Sequence, residues 1–271
     1  MPDRAPRQTS GWRSPPMAVR LLVAACALAV GCSGPRPAAE ARASHVGVWQ
    51  SLDTLVFEVP VGEDFEGGEP PVYRILWSHL TITDSLWTET AVAAGPDGFS
   101  EPGLDGYEQS MGYSAAGDSL FLRPGDDTVA MHAVVRGDTL LLRQPAPTHT
   151  RARYVRSEPL TVDSGLVGIW SGFTEPDAAG VPAEIGFRFA ADGTYQNGWG
   201  EPQGRFALAG PYLLLEDRES TEAFADMEPP GMRIIRFRAI PAEVRVREGQ
   251  LDRLVLGPAG AEDRPLVLSR R

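Results

Sequence analysis

A short tryptophan motif occurs twice in this sequence. Residues 46–49 read VGVW and residues 167–170 read VGIW. The same landmarks follow each motif in order: a strand pair around an acidic turn, a strand pair around a glycine-led turn, and a closing strand with arginine. They are 80–87, 112–122 and 151–156 after the first motif, and 187–195, 204–215 and 266–270 after the second. This order predicts two homologous β domains.

The expected domains occupy residues 45–158 and 166–271, and a linker at 159–165 joins them. Their strands are short, rich in Val, Leu, Ile, Thr and aromatic residues, and interrupted by turns at fairly regular intervals. This pattern is typical of an antiparallel barrel or sandwich, so we expect an all-β protein. The one segment with helical character is 221–227, which is long enough for two turns at most.

Each half resembles a lipocalin-like domain. That family is an up-and-down β-barrel that opens with Gly-x-Trp on the first strand, and the Trp packs under the barrel floor against an Arg from the last strand. The resemblance implies two tandem small barrels, in which these residues have structural and not catalytic roles. The implied floor residues are Gly47, Trp49 and Arg156 in the first half, and Gly168, Trp170 and Arg270 in the second.

The N-terminal segment has the features of an export signal. Arg20 precedes an apolar run at 21–30, which fits the roughly 7–15 residues of a signal-peptide core and is shorter than the roughly 20 that span a bilayer. Residues 29–32, AVGC, resemble the lipobox of bacterial lipoproteins. The resemblance implies a signal peptide at 1–31, lipid attachment at Cys32 and a flexible tether at 32–44.

Two alternatives remain open for this segment. The rival box VAAC at 23–26 would place the lipid on Cys26, but it leaves only five apolar residues after Arg20, which is too few for a signal core. An ordinary secretory signal with incidental cysteines is the other alternative. Translation starts at either Met1 or Met17.

Composition excludes several classes of function. The chain has 36 acidic and 25 basic residues, for a net charge of −11, so phosphate backbones repel it and nucleic-acid binding is not expected. All the basic residues are arginine, which excludes Schiff-base chemistry, pyridoxal-phosphate attachment and P-loop nucleotide hydrolysis. Cys26 and Cys32 are the only cysteines, so the mature domains lack disulfides, thiol nucleophiles and cysteine-ligated zinc.

One motif points to enzyme chemistry. Residues 117–120, GDSL, resemble the signature of the GDSL hydrolases, in which Ser119 would be the nucleophile. However, residues 137–140, GDTL, repeat the pattern, as two hairpin turns that enter strands would do. The chain has no Asp-x-x-His pair and no Gly-x-Ser-x-Gly elbow. We therefore predict no enzyme activity and no catalytic residue, with a serine hydrolase at Ser119 as the minor alternative.

Metal and cofactor sites are not predicted either. The four histidines, at positions 45, 79, 132 and 149, lack metal-ligand spacing, so we expect them on the surface or at a barrel rim. The acidic loops 62–70 and 96–106 lack the spaced carboxylates of a calcium loop and are expected to be solvated.

These features together predict a non-enzymatic lipoprotein of the bacterial cell envelope, held at the membrane by a lipid on Cys32. Because Ser33 follows in place of the Asp that retains such proteins at the inner membrane, we expect it at the outer membrane. The barrels would bind a small apolar ligand or an envelope protein through their loop-bearing ends. The alternative is a structural or assembly role with filled barrels and no ligand cavity.

Overall fold

A computed structural model describes most of the two expected domains. The described residues are 45–58, 72–95, 104–144, 150–176, 180–198, 200–201, 203–226, 228–247, 250–257 and 265–271. The predicted signal peptide and tether, with Cys26 and Cys32, lie outside them, as do most of the acidic loops 62–70 and 96–106. Strands make up 66% of the structure and helix 5%, so the all-β prediction is confirmed.

The first strands form a closed antiparallel barrel of eight strands with one strand added to it. Each strand from β3 to β9 pairs with the next, and β1 closes the ring because it pairs with both β3 and β9. The short strand β2 pairs with β3 beyond the residues that contact β1. The bounds are β1 Gly47–Ser51, β2 Leu55–Glu58, β3 Val72–Ile82, β4 Leu86–Ala94, β5 Leu104–Ala116, β6 Ser119–Arg123, β7 Val129–Arg136, β8 Thr139–Arg143 and β9 Arg151–Arg156.

Eight further strands follow in the second half of the chain. Sequence neighbours pair antiparallel from β10 to β17, and β17 also pairs with β10. Their bounds are β10 Gly168–Pro176, β11 Pro182–Phe189, β12 Thr194–Asn197, β13 Gly204–Ala209, β14 Tyr212–Glu216, β15 Met232–Arg247, β16 Gln250–Leu256 and β17 Leu266–Arg270. The closing strands predicted at 151–156 and 266–270 are confirmed, with those bounds, as β9 and β17.

A short helix, α1 Arg218–Ala225, lies between β14 and β15. Its eight residues agree with the predicted length of two turns, but it begins three residues earlier than predicted. Asp217 explains the earlier start because its carboxylate accepts hydrogen bonds from the backbone N–H of Ser220, at 3.0 Å, and from the Ser220 hydroxyl, at 2.8 Å. These are the bonds of an N-cap residue.

The two halves share a sheet. Strand β15 pairs antiparallel with β5 over eight residue pairs, from Met232 with Met111 to Ala239 with Leu104. The C-terminal part of β15 pairs with β14 and β16, so this long strand joins both sets of strands. The halves are therefore connected by backbone hydrogen bonds as well as by the segment 159–165.

Three apolar cores follow from this arrangement. One lies inside the first barrel and includes Trp49, Leu80 and Tyr154. A second is built entirely from the second half. The third lies between the halves and contains Trp77 and Val92 from the first half, and Ala209, Leu214, Ile235, Phe237 and Ala239 from the second.

The segment predicted as a linker, 159–165, contributes to two of these cores. Leu160 packs against the core between the halves, and Val162 packs against the core of the second half. The domain boundaries at 158 and 166 stay predictions.

Candidate functional site

The first set of predicted floor residues lies together at one end of the barrel. Trp49 has no exposed surface, and the guanidinium carbon of Arg156 lies 4.4 Å from the centre of its ring. The indole Nε1–H of Trp49 donates to the carbonyl oxygen of His45 at 3.0 Å. Gly47 has a φ of +146°, and a Cβ there would lie 2.6 Å from Nη1 of Arg156. The geometry favours glycine at this position.

The second set shares the buried tryptophan and the glycine with positive φ, and its arginine Nη2 donates to the carbonyl oxygen of Val167 at 2.6 Å. Trp170 is fully buried, pairs with Arg270 across β10 and β17, and donates its Nε1–H to the carbonyl oxygen of Leu166 at 2.7 Å. Gly168 has a φ of +146° and lies against Arg270. In both sets the Trp–Arg pair joins the first and last strands of the half; the structural role of these residues stays a prediction.

The lipid-attachment residue Cys32 lies outside the described residues, so acylation stays a prediction. Within the part that the structure describes, no helix has the length and apolar character needed to cross a membrane.

Ser119 is the first residue of β6 and follows a turn at Gly117, whose φ is +59°. Gly137 has a φ of +58° in the matching turn before β8, so both GDSL-like segments are hairpin turns. Ser119 pairs across the sheet with His132. Among the described residues no hydrogen bond joins these two side chains, and the hydrolase alternative gains no support.

The histidines differ from the expectation of surface or rim positions. His45 and His79 are buried; their Nε2 atoms donate to the carbonyl oxygens of Ala133, at 2.8 Å, and Glu158, at 2.9 Å. Burial lowers the pKa of His79. His132 is exposed, and His149 lies outside the described residues. Sequence spacing gave no indication of burial because strand register decides it.

A group of polar side chains inside the first barrel forms a site that sequence reasoning missed. Side chains alternate along a strand, so the neighbours of core residues two positions away face inward. Glu89 lies between the core residues Trp87 and Ala91 on β4. We call the group the interior polar cluster, and its members are Ser78, Glu89, Gln109 and Tyr154.

The members of the interior polar cluster are joined by hydrogen bonds. Gln109 Nε2 donates to Oε2 of Glu89 at 2.7 Å, and the hydroxyls of Ser78 and Tyr154 are hydrogen-bonded at 3.1 Å. Ser78 and Tyr154 are almost completely buried, and Glu89 is 9% exposed. A carboxyl group in such a place requires hydrogen-bonding partners, because an unpaired buried polar group is costly.

Burial shifts the pKa values of the titratable groups in and beside the cluster. It raises the pKa of the Glu89 carboxyl, and hydrogen bonds with Gln109 and Ser78 oppose that effect. Burial also raises the pKa values of Tyr107 and Tyr154, and the negative charge on Glu89 adds to both shifts. These shifts disfavour the charged forms of the three groups, and their hydroxyl and carboxyl oxygens can accept hydrogen bonds.

Trp87 adds an unused donor to the same face of β4. Its side chain is 3% exposed, and its buried Nε1–H has no hydrogen-bond partner. Native structures leave few buried donors unpaired, and each one calls for an explanation such as a water or a ligand.

The described residues of the second half contain no counterpart to this cluster. The buried polar residues of the described chain are His45, Ser78, His79, Glu89 and Thr90, and all belong to the first half. The core of the second half is formed by apolar and aromatic side chains such as Phe189, Phe206 and Leu213. Among the described residues, the buried polar side chains thus belong to the first half.

Within the described residues, no three or more His, Cys, Asp or Glu side chains lie close enough to hold a metal ion.

No protein-family model, curated protein or solved structure matches this chain. The candidate site therefore depends on its own geometry.

Replacing Glu89 with Gln should increase the free energy of unfolding more at pH 8 than at pH 4. Because the folded protein raises the pKa of Glu89 above its usual 4.5, Glu89 stabilises the fold at low pH and loses that contribution as the pH rises through the folded pKa. The difference in unfolding free energy between the variant and the parent should grow by about 1.4 kcal/mol for each pH unit by which folding raises the pKa of Glu89. Urea denaturation of both proteins across this pH range measures it.

Glu243 is the matched control for this experiment. It is exposed, and its hydrogen bond from Arg245 lowers its pKa, so Glu243→Gln should change with pH in the opposite direction. A difference between Glu89→Gln and the parent that does not vary with pH would contradict the burial of an ionisable carboxyl.

Proposed function

We propose that this chain is a non-enzymatic lipoprotein of the bacterial cell envelope, anchored at the outer membrane through Cys32. In this proposal two tandem lipocalin-like barrels form the folded part, and the first barrel binds a small, mainly apolar ligand with one polar group. The lipobox-like segment 29–32 supports the anchor.

The observation that carries the ligand-binding proposal is the interior polar cluster. The first barrel is closed and has an apolar core, yet Glu89, Gln109, Ser78 and Tyr154 bring a hydrogen-bonding surface into it. Ligand sites in proteins are typically apolar with a few such convergent polar groups. The unpaired Nε1–H of Trp87 on the same face supplies a donor for a ligand oxygen.

The tandem arrangement is supported by the pairing of the second half. Strands β10 to β17 pair in order and β17 returns to β10. Trp170 pairs with Arg270 as Trp49 pairs with Arg156. The two glycines that precede these tryptophans share the same φ of +146°.

A structural role is the second candidate, and it applies best to the second half. The core there consists of aliphatic and aromatic side chains, as expected for a filled barrel that serves as a scaffold. If both barrels are filled, the whole protein would have the structural or assembly role.

Mass spectrometry of the chain purified from its own envelope tests the proposal. The intact mass should correspond to a mature protein that begins at Cys32 and carries acyl groups, and Cys32→Ser should abolish them. Under native conditions we expect a second, non-covalent adduct in the size range of a small apolar molecule.

Glu89→Gln, which keeps the volume of the side chain, should reduce the occupancy of this adduct about tenfold, the equivalent of 1.4 kcal/mol of binding free energy. Glu216→Gln is the matched control, because Glu216 belongs to the second half, where it accepts a hydrogen bond from Arg205 Nε at 3.2 Å. The absence of an adduct, or equal loss in both variants, would favour filled barrels and a structural role. A mature chain without acyl groups would contradict the anchor.

A further inference from the structure

A groove on the outer wall of the first barrel has a charge opposite to that of the whole protein. It lies across β7, β8 and β9 and has a volume of about 520 Å³. We call it the arginine groove, and its polar lining consists of Asp53, His132, Arg136, Arg143, Arg151 and Arg153. Four guanidinium groups and one carboxylate thus line one concavity of a chain whose net charge is −11.

Strand register places the basic residues directly beside one another. His132 pairs with Arg143 across β7 and β8, and Arg143 pairs with Arg151 across β8 and β9. Like charges directly opposite each other in a sheet are destabilising. This row therefore costs stability in the absence of an anion.

The protein neutralises only one edge of the groove. Arg153 donates two hydrogen bonds to the Asp53 carboxylate, at 2.6 and 2.7 Å. Arg136, Arg143 and Arg151 are exposed, and in the described part of the chain none of them forms an ion pair with a carboxylate. Acidic residues outnumber basic ones by 36 to 25, so this lack of pairing is not due to a shortage of carboxylates.

The second half shows that the same strand framework can carry a carboxylate beside its arginine. The two halves can be aligned on the pairs Trp49–Arg156 and Trp170–Arg270, which join the first and last strand of each half. In this alignment Glu243 corresponds to Val134, and Arg245 corresponds to Arg136. Glu243 accepts two hydrogen bonds from Arg245, at 2.9 and 3.3 Å. In the first half valine stands where this neutralising acid would be.

The residue of the second half that corresponds to Arg153 is uncharged. Arg153 lies three residues before Arg156 on β9, and Val267 lies three residues before Arg270 on β17. At these positions the second half has Arg245 and Arg253 beside the carboxylate of Glu243, whereas the first half has four arginines and one carboxylate at its edge.

We propose that the arginine groove binds a phosphate-class oxyanion between Arg143 and Arg151, with Arg136 and Arg153 at its sides. Guanidinium groups form paired, charge-assisted hydrogen bonds with phosphate oxygens, and such an anion removes the repulsion within the row. The phosphate belongs either to a soluble phosphate compound or to an anionic lipid headgroup. This inference is independent of the ligand proposed for the barrel interior.

Calorimetric titration of the detergent-solubilised full chain tests the proposal with two probes. One is inorganic pyrophosphate and the other is monomeric dihexanoylphosphatidylglycerol; the zwitterionic dihexanoylphosphatidylcholine is the control lipid. We expect saturable binding of at least one anionic probe with a Kd below about 1 mM, weakened by added salt. Tighter binding of pyrophosphate identifies a soluble phosphate compound as the source, and tighter binding of the anionic lipid identifies a headgroup.

Three variants separate the groove from the rest of the surface. The double variant Arg143→Gln and Arg151→Gln should weaken binding at least about tenfold. Val134→Glu should do the same with every arginine retained, because it supplies the carboxylate that Glu243 supplies in the second half. Arg245→Gln should leave binding unchanged.

Circular dichroism of each variant checks that the fold is intact, and Val134→Glu serves if the double variant fails to fold. No saturable binding of either anionic probe by the parent protein would overturn the proposal. Equal affinity in the parent and Val134→Glu would overturn it as well.

Discussion

Replacement of Trp49 with alanine is expected to lower the free energy of unfolding by about 3–5 kcal/mol. The indole has no exposed surface and belongs to the core of the first barrel. Its removal leaves a cavity at the closing seam, where β1 contacts both β3 and β9. It also removes the hydrogen bond to the carbonyl oxygen of His45. Urea denaturation followed by circular dichroism measures the change.

Two further variants show whether the stability lost in Trp49→Ala comes from packing of the indole. Arg156→Gln removes the cation–π contact and should cost only about 0.5–1 kcal/mol, because the guanidinium is partly exposed. Trp170→Ala removes the equivalent fully buried indole from the second half and should cost about as much as Trp49→Ala. If Trp49→Ala costs less than about 1 kcal/mol, the floor motif does not hold the barrel together.

The features that sequence predicted well are those that depend on local pattern. The closing strands β9, RARYVR, and β17, LVLSR, are short segments with apolar residues that end in arginine, and each coincides with the predicted range. The turns at Gly117 and Gly137 require positive φ values, which glycine adopts without strain. A strand's own residues determine these features, so one sequence is enough to find them.

The pairing of β5 with β15 could not be predicted in this way. Both segments look like ordinary strands, and nothing in an alternating pattern says which edge a strand will pair with. The register brings Met232 opposite Met111, across more than a hundred residues of chain. Partner choice of this kind depends on the packing of whole layers rather than on local propensity.

The interior polar cluster was missed for a related reason. In the sequence LWTETAVAA of β4, Glu89 stands between Thr88 and Thr90, and a charged residue there is normally assigned to the solvent face. Val92 packs toward the second half while Ala91 packs into the barrel, so both faces of β4 are covered. One signal was available: Glu89 shares its face with Trp87 and Ala91, two residues that belong inside a barrel.

Replacement of Phe237 with alanine should lower the free energy of unfolding by about 3–5 kcal/mol and uncouple the two halves. Phe237 is 6% exposed in the core between the halves. It lies at the residue of β15 that pairs with both Gly106 of β5 and Glu216 of β14. Loss of the ring therefore weakens the packing that supports the shared sheet.

The measurement is urea unfolding of the parent and the variant, each followed by tryptophan fluorescence and by far-UV circular dichroism. The two signals should coincide in the parent, as in a single cooperative transition, and should separate in Phe237→Ala as one half unfolds before the other. Phe173→Ala is the matched control, because Phe173 is 66% exposed on β10 and its removal should change stability by less than about 0.5 kcal/mol. Equal effects of the two variants, or a single transition in Phe237→Ala, would mean that the halves are not coupled through this core.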